Sequence, residues 1–393
     1  MNSAEAAGRY ILAPDHVLHR VQRGALMAGV LSLGLCAIGA LFSPAQFFRS
    51  YLVAYLFWFS IALGCMSILM IYHITGGAWG AVIRRLLESG TRTLPLLAIL
   101  FLPLVFGLRD LYAWARPDVV AHDALLQHKA VYLNVPFFLI RALLYFAAWL
   151  TVARFLNRWS LEQDGSLDEG PGHRLEQLSR GGLVLLGLTM TFASIDWVMS
   201  LEPHWYSTIY GIIFLGGQVV AAMAFVIPLA ALLAAGPLAD VISADQFHDL
   251  GNLLLAFVML WAYFAFSQFL IIWSGNLTEE IPWYLARLRG GWQWLGLAVV
   301  LFHFVLPFLI LLSRDVKRRM RSLMRVALCL IALRFVDLFW MVTPAFSPAR
   351  LTVHWMDGAT AIGVGGIWLA FFVWQLKGRP LVPLHDPSLP PPR

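Results

Sequence analysis

Hydrophobic residues in this chain come in long runs, several of which approach or exceed the ~20 needed to carry a helix across a bilayer. Ten such runs read as membrane spans, at about 24–43, 51–75, 94–108, 131–157, 181–200, 208–235, 247–275, 291–313, 323–345 and 355–377. The third is short and contains Pro103. The polar intervals between runs are brief, apart from about 109–130, 158–180 and 275–290. The pattern predicts an all-α integral membrane protein of about ten transmembrane helices with no soluble domain. Residues 1–23 form a polar N-terminal segment, 24–377 the transmembrane domain and 378–393 a proline-rich tail that should be extended and non-helical. The interval 158–180 is rich in Gly, Asp and Glu and reads as a mobile connection. Ala78–Ser89 reads as a short amphipathic surface helix, with Arg84 and Arg85 beside Val82, Ile83, Leu86 and Leu87.

Composition supports the membrane reading. The 393 residues are 60% hydrophobic and 13% charged, with a mean hydropathy of +0.73. A soluble chain would carry roughly twice the charge. Most of the 28 lysines and arginines, among them Arg84, Arg85, Arg92, Arg154, Arg158 and the group Arg314 to Arg321, fall on the side of the N-terminus. That bias places both termini in the cytoplasm. The net charge of +6 is therefore a topology signal. Its scatter over inter-span loops argues against a nucleic-acid partner, and membrane lipid is the expected surrounding. The first run follows a polar segment and lacks a small-x-small cleavage site, so it reads as a retained anchor. Cys36, Cys65 and Cys329 lie in apolar runs as packing residues. With no CxxC, CxxCH or cluster spacing, no haem or iron–sulfur centre is expected in this chain.

Polar residues inside the spans carry the candidate chemistry. An ionised side chain at mid-bilayer costs roughly 2.5–3.5 kcal/mol on insertion scales, so it normally faces the protein interior. Toward the outer side lie Asn134 and Arg141 on span four, Asp196 on span five, Gln268 on span seven, Arg334 and Asp337 on span nine, and His354 and Asp357 on span ten. Toward the inner side lie His73, His248, Asp249 and His303, with Gln218 near the middle of span six. Arg334 and Asp337 are three apart and share a helix face, as do His354 and Asp357. Near-balance between Asp196, Asp337 and Asp357 on one hand and Arg141 and Arg334 on the other suggests one buried network in the outer half. Two readings stand: structural ion pairs that fix helix packing, or a proton path through Asp and His with Arg tuning its neighbours. His303 is either a path member or a hydrogen-bonded core residue. The aromatic residues allow a quinone site. Pro136, Pro228 and Pro307 within spans leave a secondary transporter open as a third class.

Several motifs carry a resemblance: His73-Ile74-Thr75-Gly76-Gly77-Ala78-Trp79-Gly80; Tyr132-Leu133-Asn134-Val135-Pro136-Phe137-Phe138 with Arg141; the run from Asp196 to Thr208; Trp261 through Phe269 with Gly275-Asn276-Leu277; Arg314-Asp315; and His354 through Gly366. Over about residues 20–385 the chain resembles the F subunit of alternative complex III, a bacterial quinol:electron-acceptor oxidoreductase, in the polysulfide-reductase-like membrane subunit superfamily. The resemblance implies ten helices in the bacterial inner membrane, with helices two to five and six to nine forming two four-helix bundles. A weak similarity between Phe48-Arg49-Ser50-Tyr51 and Tyr206-Ser207-Thr208-Ile209-Tyr210, each entering such a set of four spans, points the same way. It also implies a sister polysulfide-reductase-like membrane subunit, periplasmic iron–sulfur and multihaem cytochrome c subunits holding the clusters and haems, and a role in structure and proton transfer. Quinone or quinol is the cofactor it allows here. This chain lacks the His-Leu-Gly-Arg-Pro type motif of the sister subunit, where the better-supported quinol site lies.

Overall fold

The computed structural model describes residues 10–13, 15–165 and 170–389. Arg9, Arg393 and the centre of the 158–180 interval lie outside the described residues. Among the described residues, ten helices are long and apolar enough to cross a membrane: α1 (Val17–Phe42), α2 (Pro44–Thr75), α3 (Arg84–Phe106), α4 (Val135–Asp164), α5 (Gly170–Leu201), α6 (Tyr210–Ala234), α7 (Ala244–Gly275), α8 (Trp292–Leu312), α9 (Met320–Ala345) and α10 (Trp355–Leu376). No strand occurs among the described residues. The physical reason is general: hydrocarbon offers no partner to a backbone N–H or C=O, and a helix satisfies both within one segment.

The helices pack as two rings. In the first, α2 contacts α3 and α5, while α4 closes against α5 and α3. In the second, α6 contacts α7 and α9, and α8 packs on both α7 and α9. These are the two four-helix bundles expected. They meet through α2 and α6, whose most apolar windows are 94% and 89% buried, against 11% for α1. Apolarity alone does not separate a buried centre from a lipid-facing wall, because lipid and core are equally apolar. The central contact depends on Gly64 of α2, where a Cβ would lie 2.0 Å from the Gln218 carbonyl oxygen on α6. Outside the bundles, α1 and α10 pair closely, with Gly29 against Gly366, and α10 also rests on α2.

The structure corrects several expectations. Helices α1 to α5 run beyond the apolar runs, most visibly α3, which starts at Arg84 rather than 94. Hydropathy marks the hydrocarbon slab, whereas a helix continues wherever its backbone bonds persist. Most of the 158–180 interval is thus helical, as the ends of α4 and α5. Ala78–Ser89 is not a surface helix. It splits at Val82 and Ile83, and every residue from Arg84 to Thr91 is buried. Its arginines are tolerated there because carboxylates from three segments meet them, as described below. The described part of the tail, through Leu389, is non-helical as expected, yet Leu381 and Val382 are buried and the Leu381 N–H donates to the Tyr10 carbonyl at 2.8 Å.

Candidate functional site: separate buried polar clusters

The expected outer network resolves into separate clusters. In the first bundle, Arg141 Nε and Nη2 donate to the two oxygens of Asp196, each at 2.8 Å. Tyr145 Oη adds a third bond to Asp196 at 2.7 Å. Arg141 Nη1 reaches the Tyr132 carbonyl at 2.9 Å, and the guanidinium carbon lies 3.8 Å from the Tyr132 ring centroid and 4.4 Å from that of Phe137. The turn that delivers Tyr132 is fixed by Asn134, which caps α4 through a bond from the Phe137 N–H at 2.9 Å. Two motifs distant in sequence therefore meet in one bidentate ion pair. Such paired geometry is the condition under which a buried charge is retained.

In the second bundle, Arg334 Nη1 binds Asp337 one turn along α9, the pairing read from their spacing. Both are buried. Gly217 of α6 makes room for the guanidinium, since a Cβ there would lie 2.2 Å from Arg334 Cζ. His303 is completely buried on α8, in a π-helical stretch over Val299–Val305, and its ring meets Trp261 edge-on with centroids 4.3 Å apart. Short π segments inside α-helices are frequent at functional sites. This cluster has spare hydrogen-bonding capacity: Arg334 Nε and Nη2 and both His303 ring nitrogens are buried without a partner, whereas in the first cluster Tyr132 Oη is the unpartnered atom. Neither His303 ring nitrogen has a hydrogen-bond partner among the described residues.

Asp357 stands in a third cluster, accepting from Ser50 Oγ at 2.5 Å and from the His354 backbone N–H at 2.8 Å. His354 is the N-cap of α10, its Nδ1 accepting from the Met356 N–H at 3.3 Å, so it lies at a span end and not inside one. The spacing of three correctly placed the two together, but as a helix cap. Among the described residues no hydrogen bond or ion pair joins Asp196, Asp337 and Asp357. Depth along a span was readable from sequence, but the direction each side chain takes around its helix was not, and the three acids face different neighbours.

Two clusters escaped the sequence reading. Arg287, in the polar interval at about 275–290, is completely buried: its Nη2 binds Glu202 and the Met341 carbonyl at 2.8 and 2.7 Å, with its carbon 3.6 Å from the Trp283 ring centroid. The available signal was that Glu202 lies in the run from Asp196 to Thr208. At the face bearing both termini, Glu88 binds Arg84 at 3.0 Å, Arg85 at 2.6 Å and Ser160 at 2.5 Å. Arg84 also pairs with Asp386 of the tail at 2.6 Å, and Arg85 with Asp164. Asp386 further accepts from Tyr72 Oη at 2.5 Å. His73 sits beside this cluster with Nε2 unpartnered. His248 lies at the start of α7 with Asp249, 3.8 Å away, as an end-of-span pair.

A cavity of about 720 Å³ lies against α7, α8 and α9. Its wall is mostly aromatic and aliphatic, including Trp261, Phe266, Phe269, Trp283 and Trp340. The polar groups on it are Gln268, Tyr284, Arg287, Gln293 and Asp337. Gln268 is held by Ser207, whose Oγ lies 3.1 Å from its Oε1. Phe266 and Val300 are more than half exposed, in a chain whose spans face lipid, so the cavity adjoins the bilayer side.

Fold and clusters together define a multi-pass, all-α membrane protein of two four-helix bundles with paired charges inside them. Comparison of the sequence with protein-family models finds no match, and comparison with curated proteins finds none either.

Proposed function

We propose that this chain is a membrane subunit of a respiratory quinol:electron-acceptor oxidoreductase of the alternative complex III type, seated in a bacterial inner membrane with both termini cytoplasmic. In this reading it packs beside a sister membrane subunit, and the haems and iron–sulfur clusters belong to periplasmic partner subunits. Its own part is structural and proton-conducting.

The observation that supports proton transfer is the interior of the second bundle. Asp337 and His303 are both protonatable. Arg334 is paired with Asp337 and within electrostatic reach of His303. Buried polar atoms without protein partners are satisfied by internal water, and water between protonatable groups is what proton transfer needs. Asp196 is less suited to carry a proton, because both its oxygens are committed to Arg141 and Tyr145. Its part is to fix α4 against α5.

The test uses the whole complex purified from native membranes. The chain should copurify with haem-bearing partners, and its isolation without any of them refutes the complex. Asp337→Asn and His303→Gln should lower protons moved per electron while the complex still assembles. An unchanged ratio in both variants refutes the proton role alone. A reporter fused after Arg379 should report cytoplasm and one near Asp118 the opposite side.

A second reading, direct quinol binding, is favoured by the cavity. A lipid-soluble ring fits an aromatic wall with a few polar groups, and Gln268, Tyr284 and Asp337 are the residues that would hold its oxygens. A photoreactive quinone analogue should label Phe266, Phe269 or Trp340, and labelling confined to other subunits refutes it.

A further inference from the structure

At the face bearing both termini, two arginines stand outside the ion pairs. Arg84 and Arg85 share Glu88 and have Asp386 and Asp164 besides. Arg92, two turns on, forms no salt bridge among the described residues. Its Nη2 donates to Ser89 Oγ at 2.7 Å and to the Gln375 carbonyl at 3.1 Å, while Nε and Nη1 are buried without partners. Arg379, just beyond α10, has no hydrogen bond or ion pair among the described residues and lies within electrostatic range of Arg92. Glu88 is felt by both but is already committed to Arg84, Arg85 and Ser160. Two partly buried cations held near each other with no free carboxylate repel, unless a further anion lies between them.

The surroundings say what kind of anion. Further along α3 from Arg92 come Ile99, 62% exposed, and Phe106, 81% exposed; on α10, Trp374 is 55% exposed. Arg92, bonded to the Gln375 carbonyl, and Arg379, four residues further on, thus stand at the termini-bearing end of the contact between α3 and α10, beyond these lipid-exposed side chains. Guanidinium forks match phosphate oxygens, and basic pockets between helices at this level hold anionic headgroups. We infer that Arg92 and Arg379 form a phosphate-binding site, filled by the headgroup of an anionic phospholipid whose chains follow Ile99 and Trp374.

The test is native mass spectrometry of the full chain, with whatever partners it carries, offered phosphatidylglycerol or phosphatidylcholine. At about fivefold per arginine, the factor equivalent to ~1 kcal/mol each, the wild type should prefer phosphatidylglycerol by roughly 25-fold. Arg92→Gln with Arg379→Gln should bring the preference near parity. Arg379→Gln alone removes no internal bond, so it folds, and should cost about fivefold. Arg20→Gln, an exposed arginine elsewhere on the face, should change nothing. If inorganic phosphate raises the wild-type Tm but not that of the Arg379→Gln variant, and no lipid preference is seen, the site stands with free phosphate as its source. Equal retention of both lipids without a phosphate effect overturns the site, as does a preference that Arg379→Gln leaves undiminished.

Discussion

Asp196→Asn removes the charge from the most completely paired carboxylate in the membrane interior. The Asp196 side chain is 1% exposed and that of Arg141 8%, so neither regains water when its partner goes. Removing one member of a buried pair costs about 3–5 kcal/mol, chiefly from the charge left behind. Arg141 would keep the Tyr132 carbonyl and two ring faces, which puts Asp196→Asn at the low end, about 3 kcal/mol. Arg141→Met leaves Asp196 with Tyr145 alone, and about 4 kcal/mol is expected. The double variant Arg141→Met with Asp196→Leu removes both charges and both desolvation costs, so it should lie within about 1 kcal/mol of wild type. The assay is a double-mutant cycle of Arg141→Met and Asp196→Leu, each alone and together, on unfolding in mixed micelles, followed by tryptophan fluorescence. Trp197 is a suitable reporter, with its ring 6.4 Å from that of Tyr145. If the two single losses add in the double variant to within about 0.5 kcal/mol, the pair is not coupled and the structural role is refuted. If Asp196→Asn leaves stability unchanged but stops proton movement, the path runs through the first bundle instead.

Three further outcomes follow from packing and charge. Gly64→Ala should destabilise by about 1–3 kcal/mol, because the added methyl meets backbone rather than a movable side chain; thermal unfolding equal to wild type would show that α2 and α6 have room to separate. Asp386→Asn should cost about 2 kcal/mol, since Arg84 loses a charged bond at 2.6 Å but keeps Glu88, and it should expose the tail to protease beyond Gly378; an unchanged digestion pattern would refute the tail's anchoring. Asp123 caps the short helix Ala124–Lys129, and the Leu126 N–H, with His204 2.9 Å away, holds its carboxyl below the ordinary carboxylate range. A lowered folded value means the cap persists above the ordinary carboxylate pKa and is lost as pH falls through the depressed one. Exchange protection of the Leu125 and Leu126 amides should therefore drop only beneath the ordinary range, and a drop at mildly acidic pH would contradict the assignment.

The ten helices were legible because the bilayer imposes a length and a composition that any chain crossing it must meet. The Arg334–Asp337 pair was legible for a similar reason: residues three apart on one helix meet whatever the rest of the protein does. His354 and Asp357 were likewise placed together by spacing, although their part as a helix cap depends on where α10 begins. Arg141 and Asp196 were both named, but nothing in the chain said that they pair with each other rather than with residues of α9 or α10.

What the tertiary structure decided was rotation and contact. An apolar helix in lipid has no wet side to reveal which face is inward, so the central places of α2 and α6, and the separation of the three acids, came only from packing. The same holds for the cluster around Glu88. By sequence Arg84 and Arg85 look like a solvated surface, and only the fold brings Asp164 and Asp386, far away along the chain, to neutralise them. Sequence alone determined which residues must lie in the membrane. Only the fold decided which of them meet, because the energy of a buried charge is set by partners that the chain supplies from elsewhere.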